Sequence, residues 1–500
     1  MDLAKFINMK AEKYSDNILL KGPEGNITYK EFNQRSDRIA IKLNEIGVKM
    51  GDRVAVLHPN SHQTLLAYCG IIKSGAAAVP VNSIYTPREI AYILNNSGAV
   101  LLITRKDLLP VVEEIRAELP GLRHLIVRSK NEQLESALAR MTSVGPTEPR
   151  QLEFEPDQAA MIFYTSGTTG FPKGVVISHR NLYFGGPNVA QNYGLREDDV
   201  ALAVLPMVHV FCVASPIFGA MSSGGSVVVL EAFNTDRVLE AIDEYGVTWF
   251  PGVPTMFNYL LGELDQAKHS MSSLRMGLSG GASLPMEVRK QWEDRFGAKI
   301  IDAYGLTEST GLVTTSPLYG RHKQGSIGIT VSGVDAKLVD EDGEEVPSGQ
   351  VGNLIFRGPN ATSGYWQLPE ENAAHIKNGW FYTGDHAYRD EEGFFFIVGR
   401  EQELIITGGY NIYPREIEEI IYTHPAVNEA AVIGVPHPTK GEVPKAYVVL
   451  NEGKFLSPEQ LVEYCRKNLA PYKKPLVDFV NELPKNPTGK ILKDKLPKKS

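Results

Sequence analysis

Tyr164-Thr165-Ser166-Gly167-Thr168-Thr169-Gly170-Phe171-Pro172-Lys173-Gly174 packs hydroxyls, glycines and one lysine into a stretch too flexible to build a core. Its short hydroxyl side chains can donate to phosphoryl oxygens, its glycines let backbone N–H groups approach closely, and Lys173 adds positive charge. The apolar run Ala159 to Phe163 reads as a buried strand and Val175-Val176-Ile177 as another, so the stretch is expected to turn one strand into the next. A Walker A loop needs Gly-x-x-x-x-Gly-Lys-Ser/Thr before a helix, and five residues on from Gly167 stands Pro172. The competing reading is a solvated Gly/Thr hairpin that holds nothing.

Working outward, apolar segments such as Arg53 to Leu57, Ala76 to Val81 and Val100 to Thr104 alternate with helical-period stretches such as Phe32 to Glu45. That alternation predicts layered α/β structure with parallel strands. Residues 129–157 read as a surface crossing. From Gly325 to Tyr382, short strands between Gly, Pro and acidic turns predict a small barrel-like β subdomain. Past Gly399-Arg400 the α/β pattern returns, with a helix expected over Pro414 to Tyr422 and strands over Ala430 to Val435 and Lys445 to Leu450.

With 500 residues the chain exceeds what one core usually serves, so two or more domains are expected. Charges through Met1 to Leu20 interrupt any signal-peptide segment, and no apolar run is long enough for a membrane span. Cys69, Cys212 and Cys465 are too scattered for a metal or redox motif, which points to buried free thiols and a cytoplasmic protein. A formal charge of −8 argues against nucleic-acid binding. From Pro471 to Ser500, however, eight lysines face three carboxylates, and a solvated basic end is expected there.

The run around Lys173 resembles the phosphate-loop signature of the adenylate-forming superfamily: acyl-CoA synthetases, aryl-CoA ligases, peptide-synthetase adenylation domains and luciferases. Its members activate a carboxylate by joining it to AMP. The resemblance covers essentially the whole chain. It implies an α/β fold with a large N-terminal ATP- and acyl-binding domain, residues 1–399, and a small mobile α+β C-terminal domain, residues 400–500. On the same ground Thr165, Ser166, Gly167, Thr168, Thr169, Gly170 and Lys173 would hold the ATP phosphates. Ser279-Gly280-Gly281-Ala282 would line the adenine and acyl pockets. Asp302-Ala303-Tyr304-Gly305-Leu306-Thr307-Glu308 matches the family's Tyr-Gly-x-Thr-Glu signature, with Tyr304 stacked on adenine, Thr307 at the α-phosphate, and Glu308, with Thr165, as ligands of Mg²⁺. A carboxylate is the hard oxygen donor that Mg²⁺ prefers.

Asp385, in Tyr382-Thr383-Gly384-Asp385, looks like the family's ribose ligand, and Arg400 like a second ribose contact. Gln402 departs from the Asp or Lys usual at the family's hinge. Lys490, in Asn486-Pro487-Thr488-Gly489-Lys490-Ile491, resembles the catalytic lysine that steadies two anions as the carboxylate meets the α-phosphate. Gly408-Gly409-Tyr410 matches the segment that meets CoA in the second reaction.

The resemblance also sets expectations for the acid. His209 lies where the family gates the acyl or thiol tunnel, and Val210 and Phe211 beside it are candidates for an apolar pocket wall. Val208 to Gly219 holds no acidic residue to pair with an amino acid's ammonium, and Gly305 stands where acetate-specific relatives place tryptophan. Val213, Trp249, Phe250 and Val253 are further candidates for an apolar wall. The implied activity is an acyl-CoA synthetase using ATP, Mg²⁺ and CoA on a medium- to long-chain fatty acid. An aryl-CoA ligase, or an acyl-AMP ligase delivering to a carrier protein, are the alternatives, and a nonenzymatic nucleotide binder a further class. Peripheral membrane contact and a homodimer stay open.

Overall fold

Six strands form the sheet that carries the hydroxyl-rich turn. In order they are His124–Arg128, Ala99–Arg105, Arg53–Leu57, Ala77–Val81, Ala159–Thr165 and Lys173–Ser178; all neighbours are parallel except the last pair. The structure, a computed structural model, describes residues 2–141, 152–165, 172–263, 269–282, 284–407, 410–486 and 489–498. The turn is therefore strand-to-strand, as expected, with Thr165 and Lys173 facing each other across the ladder. Ser166, Gly167, Thr168, Thr169 and Gly170 lie outside the described residues.

A nine-stranded sheet stands beside it, with Lys299–Tyr304, Met276–Ser279, Trp249–Gly252, Val200–Ala203, Ser226–Val229 and Ile18–Lys21 as a parallel centre. One apolar core runs through both sheets and the helices between them, including His179–Asn192, whose Ser178 and Asn181 form a capping box. Side-chain parity sorts the strand Trp249–Gly252. Trp249 packs on Tyr193, whereas Phe250 turns to the opposite face and packs on Phe257 and Trp292. Trp249 and Phe250, both candidates for the acyl wall, thus cannot line the same face.

The surface crossing is only partly loop: a helix, Leu134–Ala139, buries Leu134, Ala137 and Leu138. The barrel-like expectation is met by five antiparallel strands along a path from Asp335–Val339 through Gly352–Arg357 and Trp380–Arg389 to Ile376–Lys377, with Phe395–Arg400 also paired to Trp380–Arg389. Among the described residues this path does not close into a ring. The C-terminal sheet joins Val427–His437, Gly441–Leu450 and Ile405–Thr407. Helices Pro414–Tyr422 and Pro458–Asn468 bury Ile417, Ile421, Leu461 and Cys465 against it. No helix of the described residues is long and apolar enough to cross a membrane.

Candidate active site

Tyr304 ends a strand of the large sheet, and its hydroxyl donates to Asp385 Oδ2 at 2.6 Å. Asp385 and Arg400 are ladder partners, which brings Arg400 Nε to 3.2 Å from Asp385 Oδ1. Two motifs fifteen residues apart in sequence therefore meet because the strands Trp380–Arg389 and Phe395–Arg400 are antiparallel in this register. Asp385 is buried, and its backbone N–H is satisfied by Thr383 Oγ1 at 3.0 Å.

Lys490 reaches the same place from the far end of the chain. Burial, together with the nearby positive charge of Arg400, lowers its pKa to about 8, opposed by Asp385 and Glu403. Its loop is tightly drawn: Lys490 N–H donates to Asn486 Oδ1 at 2.9 Å, and Asn486 N–H donates to the Lys490 carbonyl at 2.8 Å. Gly489 has φ +83°, and its carbonyl accepts a hydrogen bond from Thr255 Oγ1 at 3.2 Å. A Cβ at Gly489 would stand 2.7 Å from that hydroxyl, so the close approach needs glycine.

Lys173 lies at the start of its strand, its Nζ 2.6 Å from Glu371 Oε1 and 5.7 Å from the centre of the Tyr365 ring. The Tyr365 hydroxyl donates to Glu308 Oε1 at 2.8 Å. Backbone pairing explains the meeting. Val176 N–H donates to the Gly364 carbonyl at 3.0 Å, Trp366 N–H to the Gly174 carbonyl at 2.7 Å, and Thr362 N–H to the Glu308 carbonyl at 2.8 Å. Residues 362–366 thus sew the lysine strand to the short Thr307–Ser309 helix. Thr307 itself is half-buried in that turn, and Thr165 Oγ1 donates to the Lys173 carbonyl at 3.4 Å.

On the acyl side, a Cβ at Gly280 would meet the Phe211 ring at 3.1 Å, and one at Gly281, where φ is +79°, would meet Val253 at 3.6 Å. Ala282 follows as an exposed residue. His209 and Val210 open the helical turn that carries Phe211. Burial lowers the His209 pKa to about 4, leaving a neutral ring whose buried Nε2 has no partner among the described residues. At Gly305 a Cβ would stand 1.4 Å from the Gly311 carbonyl oxygen, so a backbone contact requires glycine there.

Glu308 is the carboxylate available for a metal. Among the described residues no cluster of three or more metal-ligating side chains exists. Mg²⁺ commonly takes one or two carboxylates and completes its shell with phosphate oxygens and water, so a single half-buried carboxylate, joined to Lys173 through Tyr365, fits that ion. Thr165 is the one other residue expected to contact it.

Two expected CoA contacts, Gly408 and Gly409, lie outside the described residues. Tyr410 is exposed and stacks on Tyr472 at 4.6 Å, within the C-terminal part of the chain. The basic end is less free than its lysine count implies. Lys473 pairs with Glu416, Lys485 with Glu429, and Lys493 with both Glu403 and Glu418. Tyr365, Glu371, Thr255 and Glu403 were not found by sequence reasoning. None sits in a run of chemically unusual composition, and their partners are distant in sequence.

Comparison with known proteins settles the lineage. The family described as AMP-binding enzyme matches residues 7–366, and its C-terminal domain, AMP-binding enzyme C-terminal domain, matches residues 416–490. The chain belongs to the AMP-binding enzyme family. It is an adenylate-forming ligase, with the large and small domains of that family. It is 33% identical over 524 residues to a long-chain-fatty-acid–CoA ligase of Bacillus subtilis (strain 168), covering 99% of this chain and 94% of that one. It is 37% identical over 472 residues to a feruloyl-CoA synthase of Amycolatopsis sp, covering 93% and 92%. The crystal structure of the anthranilate CoA ligase AuaEII in complex with anthranoyl-AMP matches with a TM-score of 0.92 at 30% identity, covering 98% of this chain and 95% of that one.

Proposed function

We propose that the protein is an AMP-forming acyl-CoA synthetase acting on an apolar carboxylic acid, with medium- to long-chain fatty acids as its first substrates. The observation that carries this reading is the convergence of Lys490, Asp385, Arg400 and Tyr304 from four separate segments. Asp385 and Arg400 bind the ribose, Tyr304 faces the adenine, Thr307 the α-phosphate, and Lys173 the outer phosphates. Lys490 brings its ammonium to the carboxylate and the α-phosphate together, offsetting their repulsion. Glu308 and Thr165 would hold Mg²⁺, whose charge would offset that of the polyphosphate. A carboxylate oxygen bonds to the α-phosphorus as the bond to pyrophosphate breaks. The CoA sulfur then bonds to the acyl carbon as AMP leaves and the thiol proton is released.

The division at Arg400 belongs to the same proposal, with residues 400–500 turning between the two steps so that Gly408, Gly409 and Tyr410 meet CoA. The wall favours an apolar tail: Phe211 lies against Gly280 and Val253 against Gly281, and Val208 to Gly219 has no acidic residue. A second reading, an aryl or arylalkenyl acid, is favoured by the likeness to a feruloyl-CoA synthase. The test is a panel of fatty and aryl acids assayed for AMP release with and without free CoA. Turnover of C8 to C16 acids above aryl acids is expected. Preference for cinnamate-type acids would move the assignment to the second reading, and AMP release without CoA would remove both.

A further inference from the structure

The ion pair between Lys173 and Glu371 connects the phosphate lysine to a part of the chain that no motif announced. The Lys173 side chain is only 14% exposed, its Nζ fixed between Glu371 Oε1 at 2.6 Å and the Tyr365 ring. Glu371 is itself anchored on the helix Pro369–His375, with Oε2 3.6 Å from His375 Nε2. The adjacent Asn372 Oδ1 accepts from Tyr365 N–H at 2.6 Å, so one helix sets both the carboxylate and the ring. A free lysine side chain loses rotamer entropy when it is fixed, and groups that fix it beforehand remove that cost from the bound complex. An ammonium has three donors. A carboxylate that takes one still leaves a donor for a phosphoryl oxygen.

We propose that Glu371 is a positioning residue for adenylate formation. It holds the Lys173 ammonium against Tyr365, the same residue whose hydroxyl fixes Glu308, so that the phosphate lysine and the metal carboxylate are set relative to each other before ATP arrives. This rests on the assignment of Lys173 to the ATP phosphates. The negative charge of Glu371 repels polyphosphate, so its function is visible in the rate of the chemical step rather than in ATP affinity.

The test is single-turnover pyrophosphate release at saturating ATP for Glu371→Gln, Lys173→Met and the double variant, with thermal melts of all three. Glu371→Gln keeps the shape and removes the charge. A release at least tenfold slower is expected, with ATP KM unchanged or lower, no further loss when the change is added to Lys173→Met, and melting temperatures kept. Losses that multiply in the double variant would overturn the proposal, as would a wild-type rate in Glu371→Gln or a raised ATP KM at an unchanged rate. Failure of the underlying reading looks different: Lys173→Met alone would then release pyrophosphate at the wild-type rate, and both assignments would fall together.

Discussion

Lys490 carries its charge in a buried setting, and in its proposed role the pKa near 8 sets a pH window for the first half-reaction. The ammonium must be protonated to act, so kcat/KM for adenylate formation is expected to be full below that value and to fall as pH rises through about 8. Bound ATP adds negative charge beside the lysine and raises its pKa, so the corresponding limb of kcat should lie at higher pH. Profiles of pyrophosphate release that coincide would remove Lys490 as the titrating group. Lys490→Ala should slow adenylate formation by about 100-fold or more while supplied acyl-AMP and CoA still give thioester. Equal loss of both steps would contradict that role. At Gly305 the prediction concerns stability. With a backbone oxygen 1.4 Å from the new Cβ, Gly305→Ala should lower the melting temperature and disturb the 305–311 turn for every acid alike, rather than select short ones.

At the scale of elements, local sequence pattern specified strands and helices well. The helix Pro414–Tyr422 and the strands flanking the hydroxyl-rich turn stand where their periodicities place them. What local pattern could not specify is which end meets which. Asp385 faces Arg400 through an antiparallel register, and Tyr365 reaches Lys173 through a single bridge between Val175 and Tyr365. Such pairings depend on chain closure over many residues and leave no periodic trace in either partner. The seat of Gly489 on Thr255 is of this kind. Gly489→Ala adds a methyl against Thr255 and a side chain at positive φ, and should cut adenylate formation at least tenfold while sparing thioester formation from supplied acyl-AMP. If both steps survive, the contact does not govern docking of the lysine segment.

Across the whole molecule, the C-terminal part is held against the helix Pro254–Glu263 by polar contacts. Asn258 Nδ2 donates to Asn428 Oδ1 at 2.8 Å, and Lys485 Nζ bridges Glu429 at 2.6 Å and the Tyr259 hydroxyl at 2.8 Å. Polar interfaces of this type part more readily than apolar ones, which suits the turning between steps proposed for residues 400–500. Cys69, Cys212 and Cys465 are buried, and burial raises all three thiol pKa values, so maleimides should reach only introduced cysteines. Linking Asn258→Cys to Asn428→Cys with a short bismaleimide should permit one burst of pyrophosphate and block acyl-CoA turnover. Full turnover in the linked protein would show that the second step needs no rotation.

The sequence alone determined the chemistry on offer: a hydroxyl- and glycine-rich turn between strands, a carboxylate in a Tyr-Gly-x-Thr-Glu run, and a lysine near the far end. These are properties of residue type and short spacing, which local physics fixes. Only the tertiary structure decided that Glu371 holds Lys173, that Tyr365 touches Glu308, that Phe250 turns to the face opposite Trp249, and that Gly305 packs on a neighbouring carbonyl. Each of these follows from strand register, side-chain parity or packing between distant segments, and such contacts exist only once the chain has closed on itself.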